Sequence, residues 1–198
     1  MTEAAPDPLD DILHVTDALY GKLLASALAT QARTAAPDPS LSALAESVLY
    51  AEARVLDGRL FDQWLDMFTK DCIYWVPSSQ EASDPRLQTS IHMDDRRRLR
   101  DRIALIKTGH LHAQTPASRT CRVVTNVEAW PDETDPSHIV TRSNLVIWMY
   151  RHHKMVQHVG WQEHTLVPAA SGIGFDIRYK VLHLLDNDGP QGNITFIL

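Results

Sequence analysis

Apolar residues recur at helical spacing in the first half of the chain and alternate with polar ones in the second. Leu44, Val48, Ala51 and Val55 fall at i, i+4, i+7 and i+11, which predicts a helix over 42–57 with those residues on its buried face. Gly58 is a natural stop. Phe61, Trp64, Leu65 and Phe68 are the apolar set of a short helix over 60–68. Residues 72–77, Cys-Ile-Tyr-Trp-Val-Pro, read as a strand closed by proline, and 78–86 as a polar loop. Asp94 and Asp95 stand where a helix N-cap belongs, before a helix over 96–108 with Leu99, Ile103 and Ile106 on one face and Gly109 after it. From Thr120 the period becomes two. Cys121, Val123, Thr125, Val127 and Ala129 alternate with Thr120, Arg122, Val124, Asn126 and Glu128, predicting that the first set faces the core. Further strands are expected over 139–150, 156–167 and 175–186. In the last, Phe175, Ile177, Tyr179, Val181 and Leu185 oppose Asp176, Arg178 and Lys180, and 194–198 is expected to close the sheet. Upstream, 9–33 is Ala/Leu-rich and helical, bounded by Pro6, Pro8 and an Ala-Pro-Asp-Pro stretch ending at Pro39. The order is α+β: helices first, then mostly antiparallel strands, the helices packed on one side of a curved sheet. Residues 1–40 form an N-terminal helical extension with linker, and 41–198 the main domain.

Composition narrows the function classes. The chain has 198 residues, 44% hydrophobic and 22% charged, enough for one core without covalent staples. Its net charge of −6 argues against non-specific nucleic-acid binding. Cys72 and Cys121 are too few for a secreted disulfide framework, so a reducing cytoplasm is expected. Residues 1–11 are acidic and contain proline, unlike a signal or transit peptide, and no apolar run is long enough to span a membrane.

Several segments in order resemble the β (small) subunit of Rieske-type aromatic-ring-hydroxylating dioxygenases. They are Tyr50-Ala-Glu-Ala-Arg54 with Leu56-Asp57, Phe61-Asp-Gln-Trp-Leu-Asp-Met-Phe68, Asp71-Cys-Ile-Tyr-Trp-Val-Pro77, Asp94-Asp95 with Leu99-Arg-Asp-Arg102, Pro116-Ala-Ser-Arg-Thr120 and Val124-Thr-Asn-Val127. The resemblance covers about 44–198. It implies the cone-shaped fold of the nuclear-transport-factor-two-like group, which includes ketosteroid isomerase and scytalone dehydratase: a strongly curved, mixed but mostly antiparallel sheet with about three helices on its concave side. It also implies assembly with a larger α subunit, usually three of each, with neighbouring β subunits in contact. The α subunit would carry the Rieske [2Fe–2S] cluster and a mononuclear non-haem iron. A reductase, sometimes with a ferredoxin, would act on the complex. Residues 1–40 exceed the usual family length, so the resemblance implies no role for them.

The residues themselves offer little chemistry. A Rieske centre needs paired Cys-x-His and Cys-x-x-His ligands; Cys72 is followed by Ile73 and Tyr74, Cys121 by Arg122 and Val123. His153 and His158 have a spacing used for mononuclear iron. However, Tyr150 stands where the accompanying Asp belongs, and 148–161 reads as a hairpin turning at 151–154. Exposed hairpin histidines are the reading preferred. His110 and His112 could share a strand face but have no neighbouring Cys or carboxylate in sequence. Glu52, at the edge of the apolar helix face, is either a buried acid or base with a raised pKa or half of a structural ion pair with an arginine such as Arg119; the second is preferred. Arg96, Arg98 and Arg102, in a run broken by acids, and Trp130, Trp148 and Trp161 are interface candidates. Gly172-x-Gly174 reads as a turn. The sequence therefore points to an assembly subunit without catalytic, metal or cofactor residues of its own, within a complex that adds both atoms of O2 to an aromatic ring. No nucleic-acid or membrane partner is expected. The rival readings are a free-standing cone-fold isomerase or dehydratase and a small-ligand-binding protein.

Overall fold

The computed structural model describes residues 16–79, 84, 86–87, 89–108, 116–190, 194 and 196–198. Four helices, α1 (Asp17–Ala32), α2 (Pro39–Asp57), α3 (Phe61–Asp66) and α4 (Arg96–Lys107), accompany six strands. These are β1 (Phe68–Pro77), β2 (Ser90–Asp95), β3 (Arg119–Pro131), β4 (Ile139–Arg151), β5 (Lys154–Pro168) and β6 (Phe175–Leu184). They form one sheet in the order β2-β1-β6-β5-β4-β3. All neighbours are antiparallel except β1 and β6.

Local chemistry explains the element ends. Asp38 caps α2, its carboxylate accepting from the amides of Ser40 and Leu41, with Pro39 in the first turn. Asp95 caps α4 through the Arg98 amide. The β4–β5 hairpin turns at His152 and His153, both with positive φ, as a two-residue primed turn requires. The β5–β6 turn carries Gly172 and Gly174 at φ 75° and 81°, matching the turn reading of that motif.

Helices α2, α3 and α4 cover the inner face of the sheet, where one large core gathers Leu49, Trp64, Tyr74, Leu99, Ile103, Ile147 and Leu182 among others. Helix α1 lies on the opposite, outer face. Leu19 and Leu23 pack there with Ile73, Trp75 and Val181. Strand β1 is thus buried on both faces, which suits its continuous apolar run. The described part of the extension, α1, docks on its own chain's sheet. The outer edge of β3 is stapled along α2. The Asp38 amide donates to the Ala129 carbonyl, the Ser42 hydroxyl accepts from the Ala129 amide, and Asp57 accepts from the Arg122 amide. Polar side chains thereby occupy backbone groups that a bare edge strand would offer to another chain.

Four sequence expectations are corrected. The buried face of α2 is Ala45, Leu49, Glu52 and Leu56, one position round from the predicted stripe, and Leu44 is exposed. An apolar pattern skips the charged Glu52, which is the middle of the true stripe. On β3, Thr120, Arg122 and Val124 point inward, while Cys121 and Val123 are exposed. A bulge between Thr125 and Glu128, with Asn126 at φ 52°, reverses the alternation before Ala129 is buried. On β6 a register shift opposite Thr165 and Leu166 does the same. Ile177 faces inward, Tyr179 and Val181 outward, and Lys180, Leu182 and Leu184 inward. The segment expected to close the sheet is not a strand where described; Phe196, Ile197 and Leu198 are buried as a plug on the inner face. Strand β2 was not expected. Gly109, His110 and His112 lie outside the described residues.

Candidate functional site

The charged centre of the inner face is built by four elements. Glu52 on α2 reaches between the sheet and α3. Its Oε1 accepts from the Lys180 Nζ at 2.8 Å and the Trp64 Nε1 at 3.0 Å, and its Oε2 lies 3.2 Å from the His164 Nε2. His164 and Lys180 face each other directly across β5 and β6, so both project to the same side. Behind them Thr141 accepts from the His164 amide and Ser143 from the Gln162 side chain. Tyr74 donates to the Leu198 carbonyl and carries the Lys180 ammonium 5.7 Å from its ring centroid.

Side-chain exposures of 3% for Glu52, 0% for His164 and 2% for Lys180 close this cluster to solvent. Burial opposes ionisation of Glu52. The Lys180 charge and the hydrogen bonds from His164 and Lys180 together outweigh it and hold the carboxyl well below its usual range. Burial lowers His164 and Lys180 in turn, each partly offset by Glu52. The raised pKa that an acid–base role for Glu52 required is therefore reversed. A carboxyl held so firmly ionised is a weak proton acceptor near neutrality. The cation on Glu52 is Lys180. Arg119, the partner suggested by sequence, lies exposed at the start of β3 with its guanidinium 4.6 Å over the Tyr150 ring. At the end of the inner face where Phe196 and Ile197 pack against Leu56, the remaining cavity is about 20 Å³. That is room for a water and far less than a small-molecule site needs.

A family profile described as ring hydroxylating beta subunit matches residues 51–188. The chain belongs to this family, the β subunits of ring-hydroxylating dioxygenases. It is 32% identical over 145 residues, 71% of this chain and 85% of the relative, to the 2-halobenzoate 1,2-dioxygenase small subunit of Burkholderia cepacia. It is 26% identical over 179 residues, 85% of this chain and 94% of the relative, to the biphenyl 2,3-dioxygenase subunit beta of Rhodococcus jostii strain RHA1. The crystal structure of the beta subunit of benzoate 1,2-dioxygenase from Burkholderia mallei ATCC 23344 superposes with a TM-score of 0.63 at 26% identity, covering 83% of this chain and all of that one. A naphthalene 1,2-dioxygenase structure with indole in its active site has a chain matching at TM-score 0.73 and 19% identity, over 93% of this chain and all of that one, which speaks to the fold alone. The fold is nuclear-transport-factor-two-like, and the β-subunit designation implies an α partner.

As donors for a Rieske cluster, the two cysteines of this β subunit do not fit. Cys72 lies in the inner core on β1, and burial pushes its thiol up to about 12. Cys121 is exposed on β3, with β6, β5 and β4 between them. Among the described residues no three His, Cys, Asp or Glu side chains gather in a way that could hold a metal ion, and no helix is long and apolar enough to cross a membrane. The hairpin histidines divide. His153 is exposed beside Tyr150. His158, expected to be exposed, is buried against Phe196, because it stands opposite the inward Ile147.

The interface candidates have different fates. Arg96 donates to the carbonyls of Leu65 and Phe68, tying α4 to the α3–β1 turn. Arg102 clamps Asp94 and touches His92, while Arg98 is exposed and bonds the Met93 carbonyl. Trp130 is buried, its indole donating to the Ala35 carbonyl and its ring under Arg33. Trp161 stacks on His183 at 3.9 Å, with Arg142 5.0 Å from its ring. Trp148 alone of the three tryptophans stands out at 42% exposure, one row from the in-register Val123, Val146 and Val159. Sequence reasoning missed Lys180 and His164. A lysine in an otherwise apolar run beside Val181, Leu182 and Leu184 was the available signal.

Proposed function

We propose that this chain is a non-catalytic assembly subunit of an aromatic-ring-hydroxylating dioxygenase. The observation that carries the reading is the closed Glu52–Lys180–His164 cluster. The interior position at which a cone-fold isomerase or dehydratase would work is occupied by a self-neutralised, solvent-free ion pair. The large α subunit would hold the Rieske cluster and mononuclear iron and add both atoms of O2 to the ring, giving a cis-dihydrodiol. Electrons would come through a reductase, with or without a ferredoxin. Three α and three β chains, with β neighbours in contact, would form the cytoplasmic complex. Residues 41–198 would supply the docking domain and 1–40 an appended extension. Arg98 and Trp148 are the interface candidates with most surface left for a partner.

The test is co-expression with a Rieske-type large subunit, followed by mass measurement and dihydrodiol assay. The expected result is a stable mixed oligomer whose activity requires the large subunit. A chain that stays monomeric beside every cognate large subunit, or that isomerises or dehydrates substrate alone, overturns the proposal.

A further inference from the structure

We infer that the outer-face groove in which α1 lies is a receptor for an amphipathic helix of another chain carrying a basic residue, and that α1 is its displaceable occupant. The floor of the groove is apolar: Ile73, Trp75 and Val181 are buried there against Leu19 and Leu23, with Met93 and Tyr179 at the margin. One carboxylate interrupts it. Glu163 is 3% exposed, and its register opposite Val181 sets it on this same face. Glu163, Leu23, Val181 and Ser26 border a void of about 10 Å³ between helix and sheet. The inference concerns the outer face alone and stands or falls apart from the assembly reading.

Helix α1 does not answer this carboxylate. Oε1 of Glu163 lies 3.4 Å from the His183 Nε2, and among the described residues Oε2 has no hydrogen-bond partner. Arg142 stands directly opposite on β4 but reaches away, 3.8 Å from Glu128 and with its guanidinium 5.0 Å from the Trp161 ring centroid. On the α1 side, the polar residue at the void is Ser26, and the helix's one cation, Lys22, is exposed. A buried carboxylate is costly unless it is paired and fully hydrogen-bonded. Docking α1 therefore covers a charge that the helix does not neutralise. A lysine or arginine at the Ser26 position, three residues after the anchoring Leu23, would neutralise it. The groove thus suits a helix of pattern Leu-x3-Leu-x2-Lys better than the Leu19-x3-Leu23-x2-Ser26 it holds. Departure of α1 leaves the rest of the chain pinned. The Ala35 carbonyl accepts from the Trp130 indole, and the Arg33 guanidinium lies 5.2 Å from the Trp130 ring, which puts the hinge at the end of α1.

The experiment is amide exchange in the full-length chain at pH 7, joined to peptide binding. Glu163→Gln and Ser26→Lys should each slow exchange across α1 about fivefold or more, the first by removing the buried charge and the second by pairing with it. In the double variant the lysine should bring no further gain. Displacement is read on the full-length Leu23→Ala chain, whose own α1 is loosened, titrated with a fluorescent peptide of residues 17–32 in its native form and in a form carrying Ser26→Lys. The Ser26→Lys peptide should bind one-to-one and about tenfold more tightly than the native peptide. That difference should vanish in a chain that also carries Glu163→Gln. Exchange across α1 that both single variants leave unchanged, as a water already satisfying Glu163 would give, overturns the inference. So does a lysine gain that survives Glu163→Gln, equal affinity for the two peptides, or failure of both to bind.

Discussion

Glu52 and Lys180 hold each other in the core, and neither is tolerable there alone. Taking a charge out of water costs several kcal/mol, recovered only while its partner stays in place. Glu52→Gln and Lys180→Met should therefore each cost about 3–5 kcal/mol in urea denaturation. The double variant should cost clearly less than their sum; strict additivity would mean the pair is not coupled. On the proposed structural role of the cluster, Glu52→Ala should reduce the yield of assembled complex, with near-normal turnover per complex that does assemble. Normal assembly with lost turnover would contradict this. Glu52 could be picked out in sequence, because a carboxylate beside an apolar helix face is conspicuous. Its partner could not. Lys180 reads as outward by simple alternation, and only the irregular pairing of β6 with β5 turns it inward.

Two elements depend on close approaches that propensity does not reveal. A Cβ on Gly160 would fall 2.1 Å from the His183 carbonyl oxygen, so β5 and β6 meet there only because no side chain intervenes. Gly160→Ala should lower the melting temperature, at a cost of about 1–3 kcal/mol or more. An unchanged melting curve would show that the strands can separate locally. Helix α1 is held by a small set of contacts, with Leu23 at their centre and only 1% exposed. Leu23→Ala should speed amide exchange in α1 while β4 and β5 keep their protection, since the lost burial is about 2–5 kcal/mol and local to the outer face. Equal acceleration throughout would make α1 part of the global unfolding unit. Helices α2, α3 and α4 and the long strands were legible because periodicity survives in them. Strand β2 was hidden because its alternation rests on Ile91 and Met93 alone, and Asp94 and Asp95 at its end read as the cap of the following helix.

At the scale of the molecule, buried histidines set the response to acid. Burial, reinforced by Arg102, pushes His92 down to about 4, and burial lowers His164 as well. The unfolded chain takes up these protons near pH 6.5, so it binds more protons than the folded chain below that pH. Stability is then full above about pH 6.5 and falls as pH drops toward 4. Glu52, whose folded pKa is depressed, adds a further loss once pH falls through and below the ordinary carboxylate range. Urea midpoints at pH 7.5, 5.5 and 4 should decrease in that order; a flat response from 7.5 to 5.5 would remove the histidines from the account. Assembly should be separable from folding. Trp148→Ala should leave the melting curve of the isolated chain in place and weaken its union with the large subunit, because the ring is exposed in the chain by itself.

The sequence alone determined the α+β order, the α4 cap, the two tight turns and the membership of a family, since these depend on neighbours within a few residues or on ordered motifs. It also determined that the paired Rieske motifs are missing. The tertiary structure decided which face each long strand presents, because one extra residue in β3 and another in β6 invert the alternation, and a bulge is defined only by the strand beside it. It decided that Lys180, not Arg119, neutralises Glu52, with His164 adding a hydrogen bond, since helix α2 and strands β5 and β6 meet there only in the folded chain. It also decided that α1 turns back onto its own sheet, because the apolar faces of α1 and β1 become partners only once the chain has folded around them.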